Sequence, residues 1–286
     1  MRIVVASDLS AGSARAIERA FQLAGLLGGS LAIVHVVDTA LPSRLTEHAL
    51  SVARETLEGQ CAPLAAATGL AAEIDVTGGD PRLELVARAR AHGAELVVVG
   101  VHRRRGLELF NFAGSTPGLL FAALGRPMLL AQVPVAGPYA AAVVGVDFSI
   151  YARPAVRWAH RLAPTATLTI VHGFQVPFRP YLGGEEHAAD FAYAERMELD
   201  AFLAEEMDWL TRRAVEAGIP PQAIVKKVME GAPADVLRAA AAETGAGLVA
   251  VGTHGRTGLM KAILGSVAAE LVKDPPADVL VVPARG

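Results

Sequence analysis

The sequence predicts an α/β fold made of two similar units, each a five-stranded parallel sheet flanked by helices. Three observations lead there. Apolar runs such as Ile3-Val4-Val5-Ala6 and Leu248-Val249-Ala250-Val251 do not alternate with polar residues, which is the pattern of strands covered on both faces. Between such runs lie stretches of helical period, as in residues 233–244, where Val236, Leu237, Ala240 and Ala241 form one apolar stripe. The whole pattern then occurs a second time.

In chain order, Ile3-Val4-Val5-Ala6-Ser7-Asp8 is matched by Val143-Val144-Gly145-Val146-Asp147, at an offset of 139 residues from Asp8 to Asp147. Leu31-Ala32-Ile33-Val34-His35 is matched by Leu168-Thr169-Ile170-Val171-His172 at an offset of 137. Gly79-Asp80-Pro81 pairs with Gly231-Ala232-Pro233, and Leu96-Val97-Val98-Val99-Gly100 with Leu248-Val249-Ala250-Val251-Gly252, both at an offset of 152. About fifteen extra residues therefore lie between the second and third strands of the second unit. Its strands are expected near residues 142–147, 167–173, 223–229, 247–252 and 278–283. Alternation of strand and helix implies right-handed crossovers. The boundary falls in Val133-Pro134-Val135-Ala136-Gly137-Pro138, too short and proline-bracketed for a flexible linker, so domains of residues 1–135 and 139–286 should pack closely.

Composition narrows the function. With 286 residues, 52% hydrophobic and 19% charged, the chain can bury a substantial core. A net charge of −3 and a pI near 6.2 argue against nucleic acid or an anionic membrane as partner. The single cysteine, Cys61, has no Cys or His at ligand spacing and reads as a small core or surface thiol. The first strand starts at once, leaving no room for a signal peptide, and no run approaches the roughly 18 apolar residues of a membrane span. A cytoplasmic location is expected.

The stretch that carries chemistry is residues 248–266. An apolar strand empties into Gly252-Thr253-His254-Gly255-Arg256-Thr257-Gly258, and Gly265-Ser266 follows. Glycines let backbone N–H groups approach a ligand, and a helix starting near Gly265-Ser266 aims its positive end at the same point, so phosphate is the natural guest. The spacing is not that of a Walker loop, which places Lys directly before the hydroxyl residue, nor of a dinucleotide G-x-G-x-x-G turn. It is G-x2-G, nine residues, then G-S.

That spacing resembles the nucleotide loop of the ATP-binding branch of the universal stress protein family, and the five-strand unit resembles its domain over essentially the whole chain, twice. The resemblance implies Rossmann-like, adenine nucleotide alpha hydrolase-like domains of strand order 3-2-1-4-5. It also implies that the two units pair through their last strands, here residues 128–133 and 279–282, as an intrachain mimic of a dimer. Ligands of such sheets sit beyond the strand ends where the order reverses. By this resemblance Gly145, Val146 and Asp147 line the adenine and ribose end and the backbone of Gly173 meets the adenine. Gly252, His254, Gly255, Gly265, Ser266 and Val267 hold the ribose and phosphates of ATP, with Mg as the implied divalent cation.

Simpler readings compete. Asp147 with Ser149 could cap the following helix. His254 has no second ligand or carboxylate at metal or catalytic spacing, and no catalytic or metal residue is assigned. His35 and His172 read as structural. In the first unit Arg103 stands where Gly255 does and one residue is inserted before Gly114, so close backbone approach to phosphate is disfavoured there. Arg103, Arg104 and Arg105 either grip an anion or form a solvated loop. Residues 174–200 could be a lid, a partner contact or a packing segment.

The function expected is a tandem universal stress protein that binds ATP mainly in its second domain and acts as a sensor or regulator, not a turnover enzyme. The loop supplies backbone donors plus Arg256 and Lys261 where phosphoryl transfer generally needs more, which leaves slow hydrolysis or self-phosphorylation open. The alternatives are a nucleotide-free protein-interaction module and an adenylating enzyme. The protein partner is unknown, and further homodimerisation through the outer surfaces stays open.

Overall fold

The computed structural model describes residues 1–39, 43–100, 116–149, 152–175, 187–253 and 265–284. The first unit runs β1 (Arg2–Ser7), α1 (Ala11–Leu27), β2 (Ser30–Asp38), α2 (Ser43–Thr68), β3 (Ala72–Gly79), α3 (Pro81–Ala91), β4 (Leu96–Gly100), α4 (Thr116–Leu124) and β5 (Met128–Ala131). The second repeats it as β6 (Ala141–Gly145), α5 (Arg153–Leu162), β7 (Thr167–Phe174), α6 (His187–Glu216), β8 (Ile224–Glu230), α7 (Pro233–Thr244), β9 (Leu248–Gly252), α8 (Ser266–Lys273) and β10 (Asp278–Val282). The extra residues of the second unit are spread over the 175–186 connection, a 30-residue α6 against a 26-residue α2, and a longer turn before β8.

All ten strands form one sheet of order β3-β2-β1-β4-β5-β10-β9-β6-β7-β8. Every pairing within a unit is parallel, and the units join where β5 runs antiparallel to β10, Met128 opposite Val281 and Leu130 opposite Val279. Side chains alternate across the sheet, so the unbroken apolar runs feed two cores. Ile3, Val5, Val144 and Leu280 face α1, α2, α5 and α6, whereas Val4, Val143, Val249 and Val281 face the α3, α4, α7 and α8 side. Local chemistry sets the helix ends. Ser10 caps α1 by accepting from the Ser13 N–H, Pro81 and Pro233 open α3 and α7, and Gly28 and Gly245 end α1 and α7 at φ 57° and 61°, a backbone conformation other residues rarely adopt. Cys61 lies on α2, 5% exposed, and burial pushes its thiol up to about 11. No helix among the described residues is long and apolar enough to cross a membrane.

The join between units carries a charge that the sequence did not advertise. Asp278, at the start of β10, is fully buried. Its Oδ2 accepts from Arg19 Nε of α1 at 3.0 Å and from the Tyr139 hydroxyl at 2.7 Å. Its Oδ1 accepts from the backbone N–H groups of Gln132 and Val133 at 2.7 and 3.0 Å. The Arg19 guanidinium also donates to the Gly137 carbonyl at 3.1 Å and lies 4.2 Å from the Tyr139 ring centroid. The proline-bracketed segment is thus held at Val133 by the carboxylate and at Gly137 by its arginine partner, with Gln132 and Tyr139 bonded on either side.

A buried pair broken on one side leaves an uncompensated charge, which costs about 3–5 kcal/mol. Asp278→Ala should lower the urea-unfolding free energy by that amount, and Arg19→Met together with Asp278→Leu should cost clearly less than Asp278→Ala alone. Burial and the Asp278 charge hold the Tyr139 phenol well above its ordinary value of 10.0. The unfolded chain therefore releases this proton first as pH rises, so the stability it contributes is complete below pH 10 and is lost above it. A stability–pH profile from pH 8 to 11 should fall less steeply for Tyr139→Phe than for wild type.

Candidate functional site

Where β1 and β4 diverge in the first unit, and β6 and β9 in the second, helices leave the sheet on opposite faces and a crevice can open. In the second unit it does. A cavity of about 150 Å³ is lined by Gly145, Val146, Asp147, Gly173, Gly252, Gly265, Ser266 and Val267, together with Ala152, Val171, His172, Pro233, Leu237, Val251, Thr253 and Ala268. His254 and Gly255 lie outside the described residues, so eight of the ten expected positions are described, and the fold brings all eight to one cavity.

Asp147 is placed by an unusual turn. β6 ends at Gly145, so Asp147 lies two residues beyond the strand instead of ending it. Phe148 then takes φ 60°, as its counterpart Leu9 takes 63°. Few non-glycine residues adopt this left-handed conformation without compensation. Here the Phe148 ring packs on His172 with centroids 4.3 Å apart, and His172 Nδ1 donates to the Val146 carbonyl at 2.8 Å. His35 makes the equivalent bond to the Ser7 carbonyl at 2.9 Å, consistent with a structural part for both rings. The residue directly before α5 is Ala152, which offers no side-chain cap. Asp147 Oδ1 instead accepts from the Ser149 N–H at 3.1 Å and hydroxyl at 2.6 Å. Its Oδ2 is buried with no hydrogen-bond partner among the described residues.

The opposite wall is the start of α8. Its N-terminal flank, Gly265, offers no side-chain cap, and among the described residues no cap side chain closes the first-turn N–H groups. A Cβ on Gly265 would stand 2.7 Å from the Thr253 carbonyl oxygen, and Thr253 N–H donates to Val282 O at 3.1 Å. The two ends of the glycine loop are therefore drawn together over β10. Gly145 and Gly173 have a second reason to be glycine. A Cβ at Gly145 would come 2.7 Å from Leu237 Cδ1, and one at Gly173 would come 2.9 Å from Pro233 Cα, so both let α7 press on the sheet and form the floor. Pro233 and Leu237 were not picked out as site residues, since their sequence signal is that of any helix start and apolar stripe.

In the first unit the first helix reaches into the corresponding space. By the repeat, Arg153 at the start of α5 corresponds to Ala14, yet α1 begins at Ala11, almost one turn earlier. Gly12 and Ser13 of that turn press on Gly100, where any Cβ would fall on the Gly12 carbonyl. The Ser7 hydroxyl donates to the buried Ser13 Oγ at 3.2 Å, and the bulkier Val36 stands where Gly173 does. Asp80 caps α3 through the Arg82 N–H at 2.8 Å, whereas Ala232 leaves α7 without a side-chain cap. Residues 101–115, with Arg103, Arg104 and Arg105, lie outside the described residues.

The sequence matches the family model of the universal stress protein family over residues 1–117 and again over 138–283. No curated protein matches it. A universal stress protein from Archaeoglobus fulgidus DSM 4304 is similar in structure at a TM-score of 0.68 and 19% identity, covering 99% of this chain and 98% of that one. A functionally unknown protein from Pseudomonas aeruginosa PAO1 is similar at 0.63 and 21%, covering 99% and 92%. A universal stress protein in complex with cAMP is 29% identical over 51% of this chain and 98% of that one, at 0.39. With two family matches that together span most of the chain, and a ten-stranded sheet built from two five-stranded units, this protein belongs to the universal stress protein family.

Proposed function

We propose that the second unit binds an adenine nucleotide, ATP, and that the protein is a nucleotide-dependent sensor or regulator of a stress response. The observation that carries this reading is the pairing across one cavity of a buried carboxylate oxygen without a partner, Asp147 Oδ2, and a helix start without a side-chain cap, that of α8. A buried acceptor left unpaired costs about 1–3 kcal/mol, a cost that a ligand hydroxyl or amine would remove. The α8 terminus favours an anion. Between them Val146, Val171, Leu237 and Val251 give an apolar middle. Donor end, flat apolar middle and anionic end describe a nucleotide.

The β7 backbone adds a base-reading edge. The Val171 carbonyl bonds the Val146 N–H toward β6, so by strand alternation Gly173 also turns its N–H and carbonyl to that side, beyond the end of β6. A cavity of about 150 Å³ is small beside the roughly 300–1,000 Å³ of sites that enclose a whole ligand, which suits the base and sugar with the phosphates reaching over α8. A Mg ion fits as a companion of the phosphates, since Mg is usually held by substrate phosphates with few protein donors. Ser266 is the hydroxyl at that end. We read the site as one for binding, because its polar groups hold and orient a ligand and phosphoryl transfer asks in addition for a positioned nucleophile and cations. His254, Gly255, Arg256 and Lys261 belong to the same proposal, through the loop spacing alone.

Equilibrium dialysis with labelled ATP and Mg should give one nucleotide per chain. Asp147→Asn keeps the bonds to Ser149 and removes the second acceptor, so it should weaken ATP by roughly 10- to 100-fold while leaving the ligand-free melting temperature unchanged or raised. Gly265→Ala should weaken binding as well, and Asp8→Asn should leave it unchanged. No binding by the wild type with Mg-ATP would favour a protein-interaction role, and two nucleotides per chain would mean that the first unit opens.

A further inference from the structure

α5 carries arginines at positions 153, 157 and 161, spaced four residues apart and so aligned along one side of the helix over roughly 12 Å. Arg157 and Arg161 are exposed and Arg153 is half-buried. Among the described residues none of the three makes an ion pair. The Arg153 guanidinium lies 4.4 Å from the Trp209 ring centroid, and that of Arg161 lies 4.9 Å from Trp158. Arg153 Nε is buried with no hydrogen-bond partner. In the first unit the corresponding positions on α1 are Ala14, Glu18 and Gln22, so the stripe is not part of the repeat and the shared fold does not require it.

Beside it, α6 shows the opposite character. Glu198 and Glu205, two turns apart and exposed, flank Ala201 and Phe202, and Met197 adjoins them. Phe202 is 49% and Met197 54% exposed, among the largest uncovered apolar side chains described. Neither glutamate makes an ion pair among the described residues. α5 and α6 pack side by side, so a cationic stripe with indole rings and an anionic stripe with exposed Phe and Met lie next to each other on one molecule.

We propose that this face binds a second copy of the chain about a two-fold axis, α5 of each copy against α6 of the other. A two-fold contact uses one patch twice and needs that patch to be self-complementary. Here the cationic span of roughly 12 Å meets an anionic span of roughly 10 Å, and the exposed Phe202 and Met197 gain Trp158 and the arginine stems as cover. The indole faces already bear guanidinium groups, which disfavours base stacking and so a nucleic acid as occupant. The contact is separate from the nucleotide cavity and does not depend on it.

The test is the mass of the whole chain by light scattering and sedimentation, with and without salt. Wild type should approach twice 29.7 kDa at low ionic strength and dissociate as NaCl is raised toward roughly 1 M, where charges are screened beyond about 3 Å. Arg157→Glu with Arg161→Glu should be monomeric, and so should Glu198→Lys with Glu205→Lys, both retaining wild-type circular dichroism and melting. Mixing these two folded variants should restore a dimer of one of each, since both contacts then pair opposite charges. A wild type that stays monomeric at low salt overturns the proposal. So does a dimer unaffected by either variant, a mixture that stays monomeric, or a monomer that binds polyglutamate or single-stranded DNA through the α5 arginines.

Discussion

The ten-stranded sheet depends on one buried carboxylate. An antiparallel pairing of β5 with β10 supplies few backbone hydrogen bonds, because β5 is only four residues long. Asp278 converts that short seam into a fixed junction by accepting from α1, from the connecting segment and from the end of β5 at once. All four donors converge on one fully buried group. Such a site tolerates no half-measures, since a charge in low dielectric has to be paired and hydrogen-bonded or it destabilises the fold. The counterparts of Arg19 and Asp278 in the repeat are Trp158 and Pro127, so the lock is built once, on one side of the pseudo-twofold.

The same departure from symmetry decides which crevice opens. Both units share the strand order and the left-handed residue after the aspartate, and both place a histidine ring against the carbonyl before that aspartate. The difference is where the first helix starts. Ser10 caps α1, which begins at Ala11 and lays its first turn on Gly100. Its counterpart Ser149 is also a serine, yet α5 begins only at Arg153, after Ala152. Val36 in place of Gly173 and Asp80 in place of Ala232 act in the same direction, one by volume and the other by satisfying a helix terminus. These differences at element ends leave the shared sheet unaltered.

The outer helices differ for a related reason. Once the fold is secured by the inward faces of α1 and α5, their outward faces are free to differ, and α5 carries Arg153, Arg157 and Arg161 where α1 carries Ala14, Glu18 and Gln22. The proposed nucleotide cavity and the proposed contact between copies therefore occupy one unit while the other serves as scaffold.

Much of this was legible in the residues. Unbroken apolar runs marked the inner strands to within a residue or two, because strands buried on both faces of a parallel sheet are apolar throughout, whereas the edge strands β3 and β8 are mixed in polarity. The repeat offsets located the insertion, and the glycine spacing of residues 252–266 pointed to the crevice that is open. The sequence left open whether Asp147 and Ser149 cap the next helix, because capping depends on where a helix starts, and α5 starts beyond both, at Arg153. Asp278 was invisible for a similar reason: one acidic residue before a strand looks like any strand start, and its partners Arg19, Gln132, Val133 and Tyr139 lie far away in sequence. By itself the sequence determined the elements and their order, since these follow from local pattern. Only the tertiary structure decided how the first helix of each unit sits beside its crevice, what holds the units together and which carboxylate oxygen lacks a partner among the described residues, because each depends on groups brought together from distant parts of the chain.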